Sequence, residues 1–222
     1  MEATLRDGSR ESAYISSRGS RLLARALVVV GIGVAVAGVV YAGLGAAEAS
    51  DTVTVPISIA DRNDDALSTV QVSVDDVAVP EGARLEAVQG GLQLVDENGA
   101  SAWAGFLARG DAALLGLAFA ACALLVAPVI TSVASGEPFR KGNAVRIAWT
   151  GMVVGVVGML APTLPHLAAL GVMTSFDGLG DNPLAVVVTP SVVPVGIAAL
   201  ILIVAEAFRR GTQINDDVAG LV

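Results

Sequence analysis

Side chains able to bind or react are few in these 222 residues, and their spacing limits what they can do. The acidic pairs Asp64-Asp65 and Asp75-Asp76 offer oxygen ligands for a divalent cation. Neither pair sits in the Asp-x-Asp-x-Asp-Gly loop that wraps such an ion, so they read as solvated turn residues. His166 is the one histidine; it cannot build a multi-histidine metal site and reads as an interfacial side chain. Cys122 is the one cysteine and lies in an apolar run, which leaves no intrachain disulfide or cysteine-based zinc site. It reads as a small buried or lipid-facing residue. Gly31-x-Gly33, with Gly38 beyond, has the wrong spacing for a dinucleotide loop, and neither a preceding strand nor a later acidic partner accompanies it. With no nucleophile beside a base and no phosphate-cradling loop, enzymatic activity is the least supported class. No catalytic residue, cofactor or metal is expected.

The elements that carry these residues are apolar. Apolar residues make up 54% of the chain, charged residues 15%, and the mean hydropathy is +0.71. Soluble domains carry about 25% charged residues. The implied solvent is a lipid bilayer, and the implied class is a mainly α membrane protein with four transmembrane helices and a small extracytoplasmic antiparallel β subdomain. The net charge of −8 is segregated along the chain, and no basic face for direct nucleic-acid binding is evident.

Residues 1–20 are polar, with Arg6, Arg10 and Arg18 among Glu2, Asp7 and Glu11, and read as a cytoplasmic tail. Residues 21–47 form the first span: Ala26 to Ala47 are 22 uncharged residues, about 33 Å as a helix at roughly 1.5 Å per residue. Ala47-Glu48-Ala49 resembles a cleavage site, but the run exceeds the roughly 7–15 residues of a signal-peptide core, so an uncleaved anchor is expected. Gly31, Gly33, Gly38, Ala35, Ala37 and Ala42 would let another helix approach closely.

Residues 48–104 change character, with eleven acidic residues against Arg62 and Arg84. Val53, Val55, Ile57 and Ile59 alternate with polar residues and Pro56; Val70, Val72 and Val74 do the same. Both patterns read as half-buried strands, and Leu92 and Leu94 after Gly90-Gly91 suit a hairpin arm. Such a subdomain must rest on helix ends, since a few strands bury too little by themselves. The second span is placed at 105–134, with Arg109 and Asp111 as an interface pair or snorkelling residues, and with Pro128 inside it.

Residues 135–142 form a short turn, followed by a third span at 143–165 whose first residue, Asn143, is placed to cap it. Gly151-x-x-x-Gly155 is a close-packing face. Residues 166–190 form a second outer loop whose run Leu184 to Thr189 is expected to join the sheet. The fourth span is placed at 191–210, and 211–222 is a cytoplasmic tail with Ile214, Val218 and Leu221 on one helical face. Glu206 and Arg210 stand four apart in the favourable order, and Gly211 reads as a helix stop. Basic short loops stay on the cytoplasmic side, so Arg140, Lys141, Arg146, Arg209 and Arg210 point inward and the acidic loops outward. Both termini then lie in the cytoplasm.

Gly136-Glu137-Pro138-Phe139, followed by Asn143 and Arg146, together with Glu206-Ala207-Phe208-Arg209-Arg210-Gly211 and a closing acidic-apolar tail, resembles the bacterial four-span membrane family catalogued as domain of unknown function 2975. The resemblance covers most of residues 22–222 and departs in a longer polar start and in Ile147, where the family often has leucine. It implies four helices, both ends inside, an outer β-containing loop in the bacterial cell membrane, and no reaction. It also implies partnership with a small cytoplasmic helix-turn-helix regulator. The leading expectation is a membrane protein acting through contacts, with Phe139, Arg140, Asn143, Arg146, Glu206, Arg209 and Arg210 forming an inner docking face. The alternative is a small transporter or channel subunit working as a homo-oligomer, although the mid-depths of the spans hold no ionisable group.

Overall fold

The computed structural model describes residues 17–59, 81–88, 91–174, 184–188 and 191–219. The chain is mainly helical: α1 (Ser17–Glu48), α2 (Ala102–Ala108), α3 (Gly110–Ala134), α4 (Asn143–Leu160), α5 (Thr163–Met173) and α6 (Val193–Ala219). Four strands, β1 (Val53–Ile59), β2 (Ala83–Val88), β3 (Gly91–Asp96) and β4 (Leu184–Ala185), complete it. Three helical stretches are long and apolar enough to cross a membrane: Arg18–Glu48, Gly110–Ala134 and Asn143–Met173. α6 does not reach that standard. Its uncharged part, Val193 to Ala205, is interrupted by Glu206 after 13 residues, about 20 Å of helix against a hydrocarbon core of about 30 Å.

The chain divides into two compact units. The unit of residues 35–117 and 156–192 holds the sheet. β3 pairs antiparallel with both β2 and β1, so that Leu94 stands between Leu85 and Val55; β4 adds two residues beside Ser58 and Ile59. The alternation along β1 puts Val53, Val55 and Ile57 on the buried side, where they join Leu94, Ala49, Ala104, Ala168, Ala169 and Val172 in one core. α2 and α5 thus supply the apolar floor that the strands need. Leu184 and Ala185 join the sheet as expected, but as a short edge. β2 was not anticipated. The expected strand at Val70–Val74 and the pairs Asp64-Asp65 and Asp75-Asp76 lie outside the described residues.

Helix boundaries differ from expectation at several places. The second apolar stretch is broken: α2 begins after Ser101, whose hydroxyl accepts the Ala104 amide at 3.2 Å, and ends at Arg109 before α3 starts. Arg109 does not pair with Asp111. Its guanidinium reaches Glu48 at 2.7 Å and lies 5.0 Å over the Tyr41 ring, while Asp111 accepts the Ala112 amide at 2.8 Å in the first turn of α3. The third stretch does not end in a loop at 166, because Pro165 falls in the first turn of α5, where a missing amide hydrogen costs nothing. His166 is therefore helical, with its Nδ1 2.8 Å from the Pro162 carbonyl.

The buried positions of α1 explain its glycines. Ala35, Gly38, Ala42 and Gly45, with Ala49 just beyond the helix end, recur at intervals of three and four and turn one face inward, while Val36, Val39, Val40 and Leu44 face out. A side chain at Gly38 would strike the Ala112 backbone, and one at Gly45 the Gly105 carbonyl. Close backbone approach of this kind is how helices gain contact where lipid removes the hydrophobic drive between them. Gly33 meets open space, and Ala37 is exposed, so neither serves that seam.

In the other unit, residues 1–34, 118–155 and 193–222, Gly31 faces Ala120 and Ala123. Gly151 and Gly155 both face Ala198 of α6, as the small-residue spacing of α4 anticipated.

Candidate docking site at the Gly-Glu-Pro-Phe turn

The end of α3 determines the turn. Gly136 has φ +82°, a left-handed conformation that costs glycine little. Its amide bonds to the Val133 carbonyl at 3.1 Å and the Glu137 amide to the Ser132 carbonyl at 3.0 Å, the paired closure of a Schellman end. The chain is thereby turned toward α4. Asn143, fully buried, secures the far side: its side-chain nitrogen donates to Ser132 Oγ at 2.9 Å and to the Pro138 carbonyl at 3.0 Å, and the Ser132 hydroxyl donates to the Glu137 carbonyl. Asn143 is thus the first residue of α4 and a clasp for the turn. It does not cap α4 as expected, and it presents no surface to a partner.

α6 meets this turn along one stripe. The Phe139 ring packs against Phe208 with centroids 5.8 Å apart and planes tilted by 55°, a Cβ on Gly211 would strike it, and Thr212 Oγ1 lies 3.1 Å from the Phe139 carbonyl. Lys141 reaches Asp216 at 3.2 Å. Phe208, Thr212 and Asp216 are four apart and share a helix face. Gly211 therefore does not end the helix; α6 runs on to Ala219, and the glycine leaves room for an aromatic ring.

Of the seven residues placed on the docking face, the structure brings together Phe139 with α6, and Glu206 with Arg209 and Arg210. Arg209 grips Glu206 through Nε and Nη2 at 2.6 and 2.8 Å, and Arg210 Nε adds a bond at 2.8 Å. Arg146 turns toward Asn143 Oδ1 at 3.5 Å. Arg140 is exposed, as are Arg209 and Arg210. Sequence reasoning missed Ser132, Thr212 and the Lys141–Asp216 pair; the four-residue stripe on α6 was the available signal. Among the described residues, no group of three His, Cys, Asp or Glu side chains could hold a metal ion.

Compared with protein-family models, curated proteins and solved structures, the chain finds no match. The resemblance drawn from the two motifs accordingly rests on those motifs alone.

Proposed function

We propose that this chain is a multi-pass protein of the bacterial cytoplasmic membrane that acts through contacts at its basic side, without catalysis. The observation that carries the reading is the turn locked onto α6, which holds exposed Arg140, Arg209 and Arg210 on a rigid support. Charge supports the orientation. The described residues of the unit containing the turn carry eight basic and four acidic side chains; those of the unit containing the sheet carry two basic and seven acidic. Basic segments beside spans stay in the cytoplasm, so the turn and both termini face inward and the sheet faces out. α6 serves as a fourth span in this reading, since its Ala198 packs on the glycines of α4 and its arginines can extend to the headgroups.

The partner that fits is a small cytoplasmic regulator with an acidic docking surface, as the family resemblance implies, and the outer sheet would serve as the sensing part. The test is charge reversal. Arg140→Glu, Arg209→Glu and Arg210→Glu together are expected to lower capture of the regulator from gently solubilised membranes at least tenfold, and to alter expression of its target genes. Unchanged capture and unchanged expression in a stably folded triple variant would end the docking reading.

A further inference from the structure

In the unit that contains the sheet lies a cleft of about 410 Å³, walled by Trp103, Ala104 and Leu107 of α2 and by Leu167, Gly171 and Val172 of α5. Among the described residues, no ionisable side chain lines it. Ser101, at one end, has its oxygen occupied by the Ala104 amide. Beyond backbone groups at the Gly99–Ser101 end, a charged or multiply polar ligand would find no described side chain to replace its water there. We propose that this cleft holds one acyl chain of a membrane phospholipid, an inference that rests on the bilayer reading above.

Three observations select that occupant. The first is depth: Gly105 of α2 abuts Gly45 of α1, and Arg109 at the end of α2 pairs with Glu48, the first charge after the long apolar stretch of α1. The cleft therefore sits level with the end of an apolar span, where lipid chains meet headgroups. The second is continuity. Trp103 and Leu167, at 66% and 52% exposure, flank the cleft, and Leu160 and Leu170 extend the same apolar surface along the membrane-length stretch. The third is space: a Cβ on Gly171 would meet nothing, so none of the described residues fills that side. The volume falls within the roughly 300–1,000 Å³ typical of small-molecule pockets.

Gly171 also supplies the test, because a larger residue can enter the cleft there without striking the fold. The full chain, extracted in mild detergent from membranes and reloaded with dioleoyl-phosphatidylethanolamine, would be weighed by native mass spectrometry. The wild type is expected to retain one phospholipid, Gly171→Leu to lose occupancy at least fivefold, and Gly33→Leu, also placed in open space but outside the cleft, to behave as the wild type. If Gly171→Leu fails to show native helix content by circular dichroism, Leu167→Trp at the cleft wall takes its place. A wild type that retains no phospholipid, detergent adducts alone, equal retention in a folded cleft-filling variant, or a second copy of the chain displaced by that variant would each overturn the proposal. Carbonate-resistant pelleting of the wild type scores the bilayer reading separately: pelleting without retained lipid overturns the cleft alone.

Discussion

Asn143 concentrates most of what the turn depends on. A buried amide that gives two hydrogen bonds leaves Ser132 Oγ and the Pro138 carbonyl short of a donor when it is removed. Unmet buried groups cost about 1–3 kcal/mol. Asn143→Leu is therefore expected to lower the thermal midpoint of the purified protein by several degrees; a midpoint unchanged to within one degree would show the clasp to be idle. Glu206 is held by exposed pairs with Arg209 and Arg210, so little folding stability rides on it. At this scale the sequence showed the Glu206–Arg210 partnership through spacing, whereas Asn143 looked like a cap because its type suits one, and only the fold shows its amide turned the other way.

Among the elements, α1 and β1 were readable because each has one physical period. Three-four spacing of small residues marks a helix seam, and two-residue alternation marks a half-buried strand. β2 alternates too, with Ala83 and Leu85 packed against the core between Arg84 and Glu86, but a run with two charges in six residues reads as loop. α5 was hidden by its prolines, whose effect depends on whether they fall at the first turn or inside. The extension of α6 past Gly211 was hidden because the glycine's neighbour, Phe139, is 72 residues away in sequence. The close approach of α1 and α2 yields a clean contrast. Gly105→Val, which must displace Ala49 and the Gly45 backbone, is expected to cost about 1–3 kcal/mol or block folding, as overpacking does. Gly33→Val, in open space, should stay near the wild type; similar thermal midpoints for the two would refute the seam.

The whole molecule is organised by charge. The prediction at this scale is topological: in a Cys122→Ser background, a membrane-impermeant maleimide added to intact cells should label Glu97→Cys and leave Arg140→Cys unlabelled until the cells are opened. Labelling of both from outside, or the reverse order, would remove the proposed orientation and the docking face with it. The sequence made the charge asymmetry plain, since it needs only counting, but could not show that α6 starts only at Val193 and so has 13 uncharged residues before Glu206. The seat that Gly211 offers to Phe139 has a further mechanical consequence. A ring lodged against the vacancy of a missing side chain behaves as a ball in a socket, so whatever grips the loop pulls on the last helix as well, and a push along that helix is delivered back to the loop.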